Sequence, residues 1–289
     1  MIILCADDYA LTEGVSRAIG ELAAARRLSA TSALVTTAHW PATVPRLLAH
    51  RRHLAIGLHL NFTLGAPLGA MPRLAPTGRL PALPALLAWS LLGLLSRREI
   101  TDEINRQLDR FEQGLGHPPD HIDGHQHVQA LPVIRTALLD AVARRYAASK
   151  PLVRDPSDRL GAIAARGLAP AKATLVHVLA TGFAAAAARR GLPVNDGFSG
   201  FSSFRADAPY TQELEKAFTS PASRHIVMCH PGHPDAELAE IDPVVARRRM
   251  EYDGLMQDVS LPERIWRPAR AADGVPLQWP QATTGTDGR

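Results

Sequence analysis

The pattern that most constrains this chain is a recurring pair: a short apolar run that reads as a buried strand, then a stretch with helical spacing. Residues 2–6 are followed by Val15, Ala18, Ile19, Leu22 and Ala23 on one helical face, and Thr12 is placed to cap that helix. Residues 30–36 are β-like and lead to a helical stretch after Pro41; residues 54–60 are apolar again. The middle reads as helix 100–114, strand 121–124, helix 132–146 and strand 152–154, and residues 224–229 form a late strand. Strands apolar on both faces, alternating with helices, are the pattern of a parallel sheet or barrel. At 289 residues the chain is long enough for one such unit.

Charge argues against nucleic acid as a partner. The formal net charge is +4, carried almost wholly by arginine, since only three lysines occur (Lys150, Lys172, Lys216). The arginines are scattered as pairs, with one run at Arg247-Arg248-Arg249, and most follow apolar helical stretches, where a cation suits the helix C-terminus. A nucleic-acid binder concentrates its charge in a stripe interleaved with aromatics, and aromatics are only 5% here. The two cysteines, Cys5 and Cys229, sit in separate apolar runs and suggest neither a disulfide framework nor a zinc knuckle. The N-terminal residues lack the basic region and long apolar core of a signal peptide, so a reducing cytoplasm is the expected compartment.

Four of the strands end in groups that bind metals or move protons. These are Asp7-Asp8, His59, the segment His121-Ile122-Asp123-Gly124-His125-Gln126-His127, and His230. In parallel α/β proteins the chemistry sits beyond the C-terminal strand ends, and four such endings together are hard to ascribe to packing. On an extended chain Asp7 and Asp8 point in opposite directions, so one suits cation ligation and the other a base facing substrate. If the histidine segment is extended, His121, Asp123, His125 and His127 share one side. Steps of ~6.6 Å spread those four over ~20 Å, so at most two neighbours converge on one ion. The rest orient ligands or meet substrate, and Asp123 suits the task of fixing a histidine tautomer. His230, where a loop leaves a buried strand, suits proton donation to a leaving amine. A carboxylate with two histidines leaves positions open on a cation for water and a carbonyl, which suits amide hydrolysis.

At these residues the chain resembles the YdjC-like (ChbG/HpnK) carbohydrate deacetylases. The matching pieces are Ala6-Asp7-Asp8-Tyr9, Ser32-Ala33-Leu34-Val35, Ile56-Gly57-Leu58-His59-Leu60, the histidine segment, and Met228-Cys229-His230-Pro231, in order across residues 1–235. The resemblance implies a single-domain, distorted or incomplete (β/α) TIM-like barrel over residues 1–267 that hydrolyses the N-acetyl group of an amino sugar. It implies one divalent ion, zinc or magnesium, held by Asp8, His59 and His125, with Asp7 as base, His230 as acid and Arg154 lining the site. Gln129 stands where the family often places a further histidine.

Two segments bear on the substrate. Residues 82–95 are apolar almost all round and end at Arg97-Arg98, which reads as a buried or dimer-interface helix, or as one lying on a membrane. Together with the arginine-rich surface they lean the expectation toward a lipid-linked sugar at the cytosolic membrane face; the alternative is a soluble chitooligosaccharide. Residues 196–201 read as a flexible aromatic loop whose Phe198 stacks on a sugar ring. Residues 268–289, rich in Gly, Pro, Thr and Asp, read as a poorly ordered tail. The rival readings are a metal-dependent phosphoesterase, which wants more carboxylates or a second metal, a non-catalytic sugar- or lipid-binding protein, and a structural metal site.

Overall fold

The computed structural model describes residues 1–202, 208–242, 245–270 and 277–281. Its elements run β1 (Ile2–Tyr9), α1 (Glu13–Ala24), β2 (Ala30–Ala33), α2 (Trp40–Leu48), β3 (Ala55–Leu60), α3 (Leu83–Leu91), α4 (Arg97–Leu115), β4 (His121–Gly124), α5 (Pro132–Arg145) and β5 (Leu152–Val153). They continue with α6 (Leu160–Arg166), α7 (Pro170–Leu179), α8 (Phe183–Ala188), β6 (Gly197–Ser199), α9 (Tyr210–Ala217), β7 (His225–Cys229), α10 (Ala236–Ile241), α11 (Val245–Gln257) and α12 (Leu261–Arg264). The strands form one seven-stranded sheet in the order β5-β4-β3-β2-β1-β7-β6, every pair parallel. A single parallel bridge, Val153 to Val194, brings its two edges together, so the sheet is curled, in keeping with the expected distorted barrel.

Strand alternation sorts the side chains into two layers. Leu4, Ala6, Ile56, Leu58, Ile122, Val227 and Cys229 join the large cluster that packs on the helices. The residues between them, Ile3, Cys5, Ala30, Ala55, Leu152, Phe198, Ile226 and Met228, form a second cluster inside the curl. Asp7, His59, Asp123, Arg154 and His230 are in phase with this inner set, which is why the polar groups gather at one end of the interior. Gly57 makes room there: a Cβ on it would lie 2.3 Å from His121 Nε2.

The cap at Thr12 acts as the sequence suggests, and Ser96 adds another. Thr12 Oγ1 accepts the Val15 amide at the start of α1, and Ser96 accepts that of Glu99 at the start of α4. Pro170–Ala188 has the length and hydropathy of a membrane-crossing helix. It nevertheless folds as α7 and α8, separated at Gly182 (φ 78°).

Two expectations need correction. The 196–201 segment is not a flexible loop: residues 197–199 are β6, paired with β7, and Phe198 is buried. The expected tail is partly packed. Trp279 lies against Trp266 with ring centroids 4.9 Å apart and meets His121 edge-on at 5.9 Å. Arg270 pairs with Asp120 beneath the sheet. Residues 271–276 and 282–289 lie outside the described residues.

Candidate active site

Asp7 keeps the strand's alternation but Asp8 breaks it, and the reason is local. Asp8 has φ 69°, the left-handed region, and the β1–β2 register shifts between Ala6 and Tyr9. The kink turns both carboxylates to the same end of the sheet, where both line a cavity of about 470 Å³. The histidine segment departs from a straight strand as well. Strand β4 stops at Gly124, and His125 begins a turn in which Gln126 (φ 56°) and His127 (φ 60°) are left-handed. His121 and Asp123 therefore point inward as the period of two requires, whereas His125 reaches the cavity from the turn.

Asp8, His59 and His125 come together. One ligand atom from each lies within 4.8 Å of the others. Asp8 Oδ1 is 2.9 Å from His125 Nδ1 and 3.3 Å from His59 Nε2. The far atoms are already engaged: His59 Nδ1 meets Asp123 Oδ1 at 2.6 Å, and Arg248 Nη2 donates to Asp8 Oδ2 at 2.7 Å. What remains free to face an ion is one carboxylate oxygen and two imidazole nitrogens, a donor set that fits a single divalent cation. Burial works against charge on His59, but the carboxylates of Asp123, Asp8 and Asp7 outweigh it and raise its pKa to about 10. The pocket thus stabilises positive charge where a cation would sit.

Asp7 stands beside this set. Burial alone would raise its pKa, but Arg154, bonded to both its oxygens at 2.7 Å, holds it well below the usual carboxylate range. Arg154 also pairs with Asp123 at 2.5 Å, and Ser32 donates to Asp7 Oδ1 at 3.1 Å. His230 lines the same cavity, and its pKa is lowered by burial against the partial opposition of Asp8, Glu251 and Asp7. A histidine and an ionised carboxylate lining one cavity make a candidate acid-and-base pair.

Two proposed substrate contacts are placed differently from one another. His127 lines the cavity, with its pKa pushed down to about 3 by burial and by Arg154. Phe198 does not: it packs under His127, with ring centroids 5.5 Å apart, and under the Arg154 guanidinium at 5.6 Å. A ring so placed supports the site and cannot stack on a sugar.

Cys5, His121 and Asp123 form another donor cluster, but it lies fully buried and outside the cavity lining. Burial holds the Cys5 thiol well above its ordinary pKa, and the Arg154 guanidinium already occupies Asp123. These groups read as a hydrogen-bonded underlay rather than a second metal site. The further Asp7, His59, Asp123 grouping is neutralised by the same arginine.

Sequence reasoning missed α11. Its Arg248 clasps Asp8 and pairs with Asp242 at 2.5 Å, and Glu251, three residues on along the same face, accepts the His230 backbone amide at 2.6 Å. Gly232 lets the loop after His230 sit this close, because a Cβ there would meet Val15 at 3.1 Å and Arg248 at 3.3 Å. The Arg247-Arg248-Arg249 run splits three ways. Arg249 pairs with Asp253 in solvent, Arg247 is buried against Glu213, and Arg248 enters the site.

A parallel, curled α/β sheet with a carboxylate–bis-histidine set able to hold a cation, flanked by a paired aspartate and a histidine, has the make-up of a hydrolase site. The chain belongs to the YdjC-like protein family, whose model matches residues 1–261. It is 30% identical over 243 residues to a chitooligosaccharide deacetylase of Serratia marcescens, covering 83% of this chain and 85% of that one. It is 29% identical over 249 residues to a carbohydrate deacetylase of Mus musculus, covering 81% and 78%. A crystal structure from Enterococcus faecalis V583, described as a candidate cellobiose-phosphate cleavage protein, superimposes with a TM-score of 0.69 at 21% identity, over 91% of this chain and 92% of that one. At that identity the likeness speaks for the fold alone.

Proposed function

We propose that the protein is a metal-dependent N-deacetylase that hydrolyses the acetamide of an N-acetylated amino sugar. The observation that carries this reading is the convergence of Asp8, His59 and His125 from three separate strand ends, with Asp7 and His230 lining the same cavity. Asp8 Oδ1, His59 Nε2 and His125 Nδ1 would hold the cation. When bound, it supplies Lewis acidity toward the amide carbonyl and acidifies water. Asp7, kept ionised by Arg154, takes the proton of the attacking water. Asp123 fixes the tautomer of His59 so that Nε2 faces inward. His230, entering the step as imidazolium, gives its proton to the departing nitrogen and is left neutral, and the proton held by Asp7 restores the starting charge. Water oxygen joins the acetyl carbon, the C–N bond breaks, and acetate and a free amine result.

The relatives named above support carbohydrate amides, and the soluble chitooligosaccharide in one of their names is the first substrate to try. They lend nothing to a lipid-linked sugar; what favours that second reading is the aliphatic side of the cavity, lined by Leu83, Leu87, Leu175, Val176 and Leu179. The test is acetate release from N-acetylated sugars with and without chelator, and with Asp7→Asn. Turnover should vanish in the variant while metal binding persists. Unchanged turnover in Asp7→Asn would remove the proposed base, and phosphate release from sugar phosphates in place of acetate would favour a phosphoesterase.

A further inference from the structure

Two long stretches of the chain carry no acid. Residues 22–98 hold nine arginines and no Asp or Glu, and residues 159–195 hold four arginines and Lys172, again with no Asp or Glu. The whole chain is only +4, so the signs are segregated along it. Each acid-free stretch contributes one helix to the surroundings of the cavity, α3 from the first and α7 from the second.

Both helices leave apolar side chains in solvent. Of the nine residues of α3 only Leu86 and Ser90 are buried, so it is not the buried helix that its composition allows. Leu91, Leu92 and Leu94 are each more than half exposed, Leu92 by 71%. On α7, Leu175 and Val178 are 55% and 60% exposed, and only 28% of the most apolar window within Pro170–Ala188 is buried. Exposed apolar residues grouped in this way, unlike scattered ones, mark a contact surface.

Basic groups stand beside them. A surface hollow of about 240 Å³ is lined by Arg73, Leu74, Trp89, Leu94, Leu95 and Ser96, which brings a guanidinium, an indole and leucines together. Arg97 bonds to Asp140 at 2.7 Å, and Arg98 lies 3.9 Å from Asp102. The exposed side chains of Arg73 and Arg79 pair with no carboxylate among the described residues. Glu99, the next acid in the chain, is occupied by the backbone amides of Arg73 and Leu74.

Two kinds of occupant fit an apolar face. A second copy related by a two-fold axis would set the patch against itself, arginine against arginine, and like charges so placed repel. An anionic lipid surface satisfies both features at once: aliphatic side chains enter below the headgroups, arginines meet phosphates, and an indole settles at that level. We propose that α3, the turn that follows it to Arg98, and α7 dock the protein on an anionic bilayer. Leu91, Leu92, Leu94, Leu175 and Val178 enter the acyl boundary, and Arg73, Arg79, Arg97 and Arg98 lie at the headgroups. The ten residues of α7 are too few to cross the hydrocarbon, so the helix lies on the surface. This docking belongs to the surface of the protein and does not depend on which reaction the cavity performs.

The experiment is co-sedimentation of the full chain with vesicles of phosphatidylcholine alone and of phosphatidylcholine mixed with phosphatidylglycerol, at low and high salt. The native chain should pellet with the mixed vesicles and be released as salt rises. Leu91→Gln with Leu92→Gln should lower the partition coefficient about tenfold or more. Arg73→Gln with Arg79→Gln should lower it by about fivefold for each arginine. Both pairs lie on the surface, so unchanged melting temperatures accompany these losses. The blue shift of tryptophan emission on mixed vesicles should vanish in Trp89→Phe. A chain left wholly in the supernatant, equal binding to both kinds of vesicle, or a blue shift that survives Trp89→Phe would overturn the proposal. So would a dimer in sedimentation equilibrium that Leu91→Gln with Leu92→Gln dissociates, since a second copy would then be the occupant.

Discussion

Arg154 is the residue whose loss is most informative. It is fully buried, donates to both oxygens of Asp7 at 2.7 Å and pairs with Asp123 at 2.5 Å. Replacing it by methionine keeps much of the volume but strands two carboxylates in a low-dielectric interior. Removing one partner of a buried ion pair costs about 3–5 kcal/mol, because the other charge is left uncompensated. For a domain of this size that lowers the melting temperature by about 10 °C. The stranded Asp7 should also favour its protonated form, with a loss of turnover of about 10²- to 10⁴-fold, as expected for losing a general base. Calorimetry of Arg154→Met, Asp7→Asn and the double variant, each metal-loaded, separates this from loss of packing. Removing the stranded charge should make the double variant more stable than Arg154→Met, by about 1–3 kcal/mol of coupling. Simple additivity of the two destabilisations, or an unchanged melting point in Arg154→Met, would refute the reasoning.

Asp123→Ala should raise the metal dissociation constant about 10- to 100-fold through loss of the His59 Nδ1 partner, readable by competition with a chelating dye. Unaltered affinity would mean His59 needs no such orientation. Arg248→Met should cut kcat about 10- to 100-fold by releasing Asp8, with partial recovery in Arg248→Lys; full activity in the methionine variant would deny α11 its positioning role. His225, hydrogen-bonded to Ser199 and buried, has its pKa pushed down to about 3 by burial and by Arg166. The unfolded chain therefore binds the proton first as pH falls below 6.5, and native stability declines between 6.5 and about 3 by at most about 1.4 kcal/mol per pH unit. Urea unfolding of His225→Gln between pH 7 and 5 should show a shallower acid slope than the native chain; identical slopes would exclude this histidine as the source.

The alternation of apolar strands and helices made the parallel sheet legible, since each strand had to be buried on both faces. Legible too were the residues at the strand ends, because chemistry at that edge leaves histidine and aspartate where packing alone would not. What failed to show was any feature set by a backbone turn against the local period. The left-handed Asp8 and the break after Gly124 redirect side chains that simple alternation sends elsewhere. Phe198 was misread for a related reason: its Gly-Ser surroundings suggest a loop, but tertiary pairing with β7 makes a strand of them. Arg248 and Glu251 were hidden among other charges on α11, and their spacing of three was the signal available. It has meaning only once the position of Asp8 is known.

Two neighbours in the chain, Asp7 and Asp8, are each fastened by an arginine from a distant part of the sequence, 147 residues on for Arg154 and 240 for Arg248. The peptide between them is thus a junction where the middle and the late portions of the polypeptide register against its beginning. Competence cannot accumulate piecemeal along such a chain. A polypeptide cut ahead of Val245 has both carboxylates and all three imidazoles in hand, yet lacks the clasp on one and the brace behind another.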